Sequence, residues 1–594
     1  MQAHQILYLR KFWEEIEAEA VMLSKNPMPE LSMEEFELFF QTGNRLVYEG
    51  TYFERRKYLT VYGILAVYRG EDTDIERLAC VLDSICKERY WALPAHVNAK
   101  TRDELTIDLF AAETAQTLTE QIYFLQEQLS ETIKGQILDE VMRRVIMPYI
   151  EKRVTYGWET DPCNWSAVCA GSIGMAVIYL YRMGRLTKEQ RDACIERVCA
   201  SMQCYIGGLE EDGACTEGLG YYSYGMSYFT GFAELVLEES GGAIQLMKGT
   251  KCENIAVFQQ KCFFGGGVSV SFSDGSSREC FLPGLTAYLK HCFSKVEEPE
   301  YCLARGLHGD NCYRWLTNER NIRWLFIYEE KCKRQDIHSC WKNFIINGES
   351  QESGILDEQH KVERYSFMPS AQWMIYKDKN GNGYAAKGGH NAESHNHNDI
   401  GHFEVVYGGD VFLTDLGAGE YTKEYFGAGR YEILCNRSLG HSVPIINESE
   451  QCTGKEYCAR GFEWDETSHE LSISFASAYG DDVIEVVERK IVCVSTEEKL
   501  SLVITDRFLP NANTHSIVEN LVTQYKPVVD KESVLLQGQN GNCRIIIDRQ
   551  TKIAILPQKH RNHVGLSEDV YLIQWKVPIC VGRACENVIK IECY

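Results

Sequence analysis

A chain of 594 residues is too long for one ordinary hydrophobic core, so its length predicts two domains, or three. Its 44% hydrophobic and 25% charged content is that of a globular protein, and its net charge of −24 argues against nucleic acid, whose phosphates need a basic surface. An anionic substrate is not excluded, since a locally basic cleft can sit on an acidic protein. The 24 cysteines are too sparse for a disulfide scaffold and none forms Cys-x-x-Cys. Cys80, Cys86, Cys169, Cys194 and Cys199 lie in apolar, helix-like stretches, where a thiol acts as a small buried hydrophobe. The first residues lack an export signal, and the longest apolar run, 167–181, is interrupted by Gly and Ser and too short for a membrane span. The expectation is a cytoplasmic protein without a membrane partner; a homo-oligomer is compatible with it.

Up to about residue 345 the apolar spacing is helical. Ser32-x-x-Glu35, Thr101-x-x-Glu104 and Thr187-x-x-Gln190 each fit a capping box. Leu118, Ile122, Leu125 and Leu129 fall on one helix face, and the helix after Asn164 is expected to stop at Gly184. Successive helices with short connections suggest hairpins packed as a bundle, solenoid or toroid. Residues 347–362 are polar and aperiodic and read as a junction. Beyond it the period becomes two. Leu471–Phe475 alternates, Ile491–Val494 and Leu500–Ile504 flank a turn, and Asn542–Ile547 with Lys552–Leu556 read as another pair. The expected architecture is therefore a helical domain over 1–350 and an antiparallel β-sandwich over 363–594.

Four of the 15 histidines fall within 390–402, and His441 follows. In an extended segment the strand period would put His395, His397 and Asp399 on one face. His397, Asp415 and His441 offer imidazole, carboxylate and imidazole, a set suited to Zn²⁺ or a similar divalent ion, as against a hydrogen-bonded network without metal. Asp415 ends the apolar run Val411–Thr414, where a buried carboxylate needs a partner. In the helical part, Glu217–Tyr228 holds tyrosines beside glycines, which suit either sugar stacking or a core helix. Asp161-Pro-Cys-Asn164-Trp165 precedes an apolar helix, where Asn164 reads on its own as an N-cap.

Together, His395-Asn-His-Asn-Asp399 with Gly401 and Phe403, Asp415-x-Gly417, Arg430-Tyr431 and Gly440-His441-Ser442 resemble the C-terminal signature of heparinase II/III-like polysaccharide lyases. The Asn164-Trp165 helix start and the Glu217 to Gly225 segment resemble that family's helical domain. The resemblance implies an (α/α) toroid packed on a β-sandwich, with the active site in the cleft between them. It assigns catalysis to Tyr224 (Tyr222 as fallback), His395 and Asn164, and metal, usually zinc, to His397, Asp415 and His441. Tyr431, Arg430, Trp165, Glu217 and, upstream, His96 would contact substrate. Several members carry histidine where this chain has Trp165, which leaves open which epimer's proton can be removed or which group removes it.

The implied reaction is β-elimination across C4–C5 of a uronate. Asn164 would neutralise the carboxylate, helped by an arginine or histidine not placed by the motif. Tyr224 and His395 would move the protons, and the metal would hold the strand presenting His395. The partner would be an anionic uronate-containing glycan such as heparan sulfate, chondroitin, hyaluronan or alginate. Three rivals remain: a glycoside hydrolase using Glu211, Asp212 or Glu217; a cupin-like enzyme in which His395 also binds metal; and a glycan-binding relative without turnover.

Overall fold

The computed structural model describes residues 1–152, 155–333, 336–346, 363–530, 533–547 and 552–594. The expected junction at 347–362 lies outside them. Contacts divide the chain into two units. One comprises Met1–Leu209, Tyr222–Val257 and Cys280–Asp357; the other comprises Glu210–Tyr221, Phe258–Glu279 and Glu358–Tyr594. Two segments from the helical half of the sequence thus group with the β-rich unit. All 24 cysteines are free thiols.

In the first unit a ring of helices encloses the core. Its members are Leu46–Tyr68, Leu109–Phe124, Asn164–Arg182, the part of Leu219–Glu239 from Tyr222 onward, and Trp315–Trp324. Small residues set their spacing. A Cβ on Gly63 would come within 2.2 Å of Gln121 and 2.9 Å of Trp315, so the first helix touches both the second and the last. A Cβ on Gly171 would stand 2.7 Å from the Tyr228 carbonyl oxygen, joining the third to the fourth. Asn164–Arg182 is buried almost throughout, and it alone among the described residues has the length and apolarity of a membrane span. The neighbouring helix Lys188–Gly208 buries only Cys194, Ile195, Val198, Ser201, Met202 and Tyr205, one face at helical spacing.

Charge inside the ring is matched by charge. Arg320 donates to Glu120 at 2.7 Å and to Glu319, and Arg323 donates to Glu319 at 2.6 Å. Tyr179 and Trp315 donate to the two oxygens of Glu120 at 2.9 and 2.8 Å.

Ser32 and Thr187 cap helices as expected. Thr101–Glu104 does not: Arg102 takes a left-handed φ of 50°, which interrupts helix, and the next helix starts at Leu109 with Asp108 as its cap. That helix ends at Phe124, so Leu129 is buried beyond its end rather than along its face.

The second unit is antiparallel. Arg364–Met368, Trp373–Lys377, Gly383–Lys387, Phe403–Tyr407 and Asp410–Leu413 form a sheet in chain order. An eight-stranded sheet has Leu500–Leu509 between Val486–Ser495 and Cys585–Cys593. A four-stranded sheet contains Ile517–Thr523 and Ser567–Val577. The two larger sheets share a core that joins Met374, Phe403 and Val405 to Ile491, Leu502 and Ile591. This is the sandwich that alternation predicts. The pairing of 542–547 with 552–556 is corrected. Asn542–Ile546 lies between Ser533–Gln537 and Cys585–Cys593, while Ala554–Arg561 pairs with Ser567–Val577 in another sheet. Sequence adjacency does not choose partners: two strands that follow one another in the chain belong here to different sheets.

Candidate functional site

The histidine-rich segment is not a strand beyond His390–Asn391. It turns, and His395 adopts a left-handed φ of 56°. The expected common face of His395, His397 and Asp399 therefore does not form. Side chains and backbone within the turn compete with sheet pairing: Arg430 donates through Nε and Nη2 to the Asn396 carbonyl at 3.1 and 2.8 Å, and Asn396 donates to the Tyr431 hydroxyl at 3.1 Å. Asp399 turns to Lys387, 2.9 Å from its ammonium.

His397, Asp415 and His441 nevertheless converge. With Asp399 they form a fully buried group whose offered ligand atoms lie within 4.8 Å of one another. Hydrogen bonds identify the nitrogens. His441 Nε2 lies 2.8 Å from the Cys435 carbonyl, which only accepts, so Nε2 carries a proton and, in the neutral ring, Nδ1 has the lone pair. His397 Nε2 bonds Asp274 at 3.1 Å, which likewise leaves Nδ1 as the lone-pair nitrogen. Both Nδ1 atoms face Asp415, at 3.8 Å for His397 and 3.3 Å for His441. Neither makes a hydrogen bond among the described residues, nor does Asp415 Oδ2. Lone pairs aimed at a carboxylate repel it unless a cation lies among them, so the donor set fits a divalent metal. His402 is different. Its Nδ1 accepts from the Ser442 amide at 2.9 Å, which puts a proton on Nε2, 3.7 Å from Asp415. Burial holds its pKa well below 6.5, and its Nε2 makes no hydrogen bond among the described residues. Behind these loops the buried Arg489 donates to the carbonyls of Gly401 and Ser442, both at 2.7 Å.

His395 lies outside the metal-type group. Its Nδ1 bonds Asp274 at 2.5 Å and its Nε2 lies 3.6 Å from Glu217. The ring packs on Tyr221 with centroids 4.2 Å apart, and Phe426 approaches edge-on at 6.2 Å. Burial opposes a charge on His395, but the Asp274 carboxylate outweighs it and raises the pKa. Tyr421 donates to Asp274 at 2.9 Å and stands 2.6 Å from the Tyr221 hydroxyl. Asp274, Tyr221 and Tyr421 were missed in the sequence. Phe-Ser-Asp-Gly-Ser-Ser reads as a turn, and no local spacing ties it to histidines 121 positions later.

The helical unit places the remaining candidates. Asn164 is not an N-cap; Cys163 holds that position and Asn164 begins the helix, 2% exposed, its amide oxygen without a hydrogen bond among the described residues. His96 packs edge-on against Trp165 at 4.8 Å, its Nδ1 2.7 Å from Asp108. Tyr222 is buried and donates to the Ile255 carbonyl at 2.9 Å. Tyr224 donates to Glu113, and the Arg314 guanidinium lies 4.0 Å over its ring. Burial and the Glu113 charge push Tyr224 well above 10, with Arg314 opposing. Arg314 also donates to Asp310 at 2.8 Å. Glu113 and Arg314 carry no motif that would have singled them out.

Comparison with known proteins bears on both units. Residues 362–574 match the family model of the heparinase II/III-like C-terminal domain. No curated protein matches. Among solved structures, a heparan sulfate lyase of Pedobacter heparinus is 13% identical with a TM-score of 0.57, over 93% of this chain and 77% of that one. A heparinase III gives 11% identity and a TM-score of 0.60 over 92% and 77%. Residues 362–574 are thus a heparinase II/III-like C-terminal domain, in a chain that shares the helical-toroid and β-sandwich fold of the heparinase III structures.

Proposed function

We propose that this chain is a lyase that cleaves uronate-containing glycans, of glycosaminoglycan or alginate type, by β-elimination to leave a 4,5-unsaturated uronyl end. The observation that carries the reading is the pair of histidines on Asp274 within the heparinase II/III-like domain. One presents a nitrogen to a metal-type cluster, and the other stands beside a tyrosine. A C5 proton becomes acidic only when the adjoining carboxylate is neutralised, the role assigned to the Asn164 amide. His395 Nε2 is the atom for proton transfer at the reacting centre. Zn²⁺ suits the two imidazoles and carboxylate of His397, His441 and Asp415, and when bound it supplies the positive charge that holds them.

For the tyrosine, motif and geometry name different residues. The motif selects Tyr224, whose raised pKa suits a proton donor to the departing O4 more than a base. Geometry selects Tyr221, the ring lying against His395. Tyr221→Phe and Tyr224→Phe decide between them by the ultraviolet absorbance of the unsaturated product. The tyrosine whose loss abolishes that product at unchanged folding is the catalytic one; full activity in both variants sinks the tyrosine role. A hydrolase has less support. Asp212 accepts from the Ser370 and Ala371 amides at 2.7 and 3.1 Å, which makes it a backbone clamp rather than one of two catalytic acids.

A further inference from the structure

We propose that Asp274 is a positioning residue for two centres at once, fixing which nitrogen His397 offers to a metal and which nitrogen His395 offers to substrate. Its side chain is fully buried and receives four bonds. Oδ2 accepts from His395 Nδ1 at 2.5 Å and from Tyr421 at 2.9 Å; Oδ1 accepts from His397 Nε2 at 3.1 Å and from the Tyr425 hydroxyl. An ionised carboxylate has about four lone-pair directions and no proton to give. Each imidazole must therefore present an N–H to it. His395 is held as the Nδ1–H form with Nε2 turned to substrate, and His397 as the Nε2–H form with Nδ1 turned to Asp415.

The tyrosines extend the arrangement. Because Tyr421 spends its proton on Asp274, the 2.6 Å contact with Tyr221 has Tyr221 as donor. Tyr221, Tyr421 and Asp274 thus form a directed chain ending on the carboxylate that holds His395. The backbone bends to deliver this residue: Ser273, immediately before it, has a left-handed φ of 58°, a conformation that side-chain-bearing residues seldom adopt. Metal binding and substrate handling then share one rigid part, and disturbing Asp274 disturbs both.

Asp274→Asn tests this, since the amide keeps the shape but turns one acceptor into a donor. Three readouts apply. Zinc affinity, by chelator competition on the purified variant, should fall by about 10–100-fold. In the metal-free protein, ¹⁵N chemical shifts of the histidine rings should report His395 as Nδ1–H in the wild type and as a mixture in the variant. On a cleaved uronate oligomer, kcat should fall at least tenfold with KM changed little. Wild-type zinc affinity together with an unchanged His395 tautomer in Asp274→Asn would overturn the proposal. So would an Nε2–H form of His395 in the unmodified protein, a measurement that needs no variant to fold. Only the kinetic readout rests on the lyase reading. If no uronate is cleaved by the wild type, that reading fails while the zinc and ¹⁵N results still decide the role of Asp274.

Discussion

The ring of helices and the β-rich unit both bury charge, and they neutralise it differently. In the ring, Glu120 and Glu319 face Arg320 and Arg323, and tyrosine and tryptophan donors complete the set. Positive and negative groups answer each other inside the protein, so the network needs nothing from outside. Around Asp415 the neighbours are instead two imidazole lone pairs, the N–H of His402 and the Gly417 amide, which donates to Oδ1 at 2.9 Å. That set favours a cation from solution. A third solution occurs on the far side of the same loops, where Asp506 and Glu519 share the single guanidinium of Arg489. There burial and the charge of Asp506 push Glu519 well above the usual carboxylate range, which favours its neutral form. A closed network holds a fold together; a carboxylate faced by lone-pair nitrogens, with the buried Lys387 already paired to Asp399, is suited to take up a further cation.

The sharpest way to break this contrast is Arg320→Ala. It strands Glu120, while Arg323 still holds Glu319, and should cost about 3–5 kcal/mol of stability, read from urea denaturation. A loss below about 1 kcal/mol would mean that the helical network relaxes and is not closed. Next in size is metal removal. With a free divalent ion at about 100 times its dissociation constant, binding would contribute about 2.7 kcal/mol. EDTA should therefore lower the Tm of the wild type and leave that of a metal-free Asp415→Ala variant unmoved. Equal shifts in both proteins would remove the metal from the comparison. The smallest effect belongs to Glu519→Gln. A carboxyl whose folded pKa is raised contributes stability that is full below its unfolded value near 4.5 and is lost as pH rises through the folded value. Glutamine copies the protonated form without that loss. The variant should match the wild type in acid and exceed it increasingly toward alkaline pH. A constant difference at every pH would show that Glu519 is ionised in the native state.

Much of this was legible in the sequence because it is local. Thr187 caps its helix, and the segment Leu471–Phe475 alternates because each residue answers to its immediate neighbours. The convergence of His397, Asp415 and His441 was legible through the motif, although the expected strand was not there to produce it. What escaped is non-local. Asp274 and Tyr221 come from segments whose own patterns read as a turn and a helix start, and their meaning arises only against residues more than a hundred positions away. The mispairing at 542–556 has the same origin: alternation identifies a strand but not its partner.

The division of the chain has a consequence for its synthesis. Asp274 precedes His395 by 121 residues, and at about 5–20 residues per second it leaves the ribosome roughly 6–24 s before the first histidine it will hold. During that interval the segments Glu210–Tyr221 and Phe258–Glu279 exist without the strands they join. The β-rich unit is therefore completed only after the segments of the helical unit have been synthesised. A fragment starting at residue 363 would contain the histidines without the carboxylate that orients them.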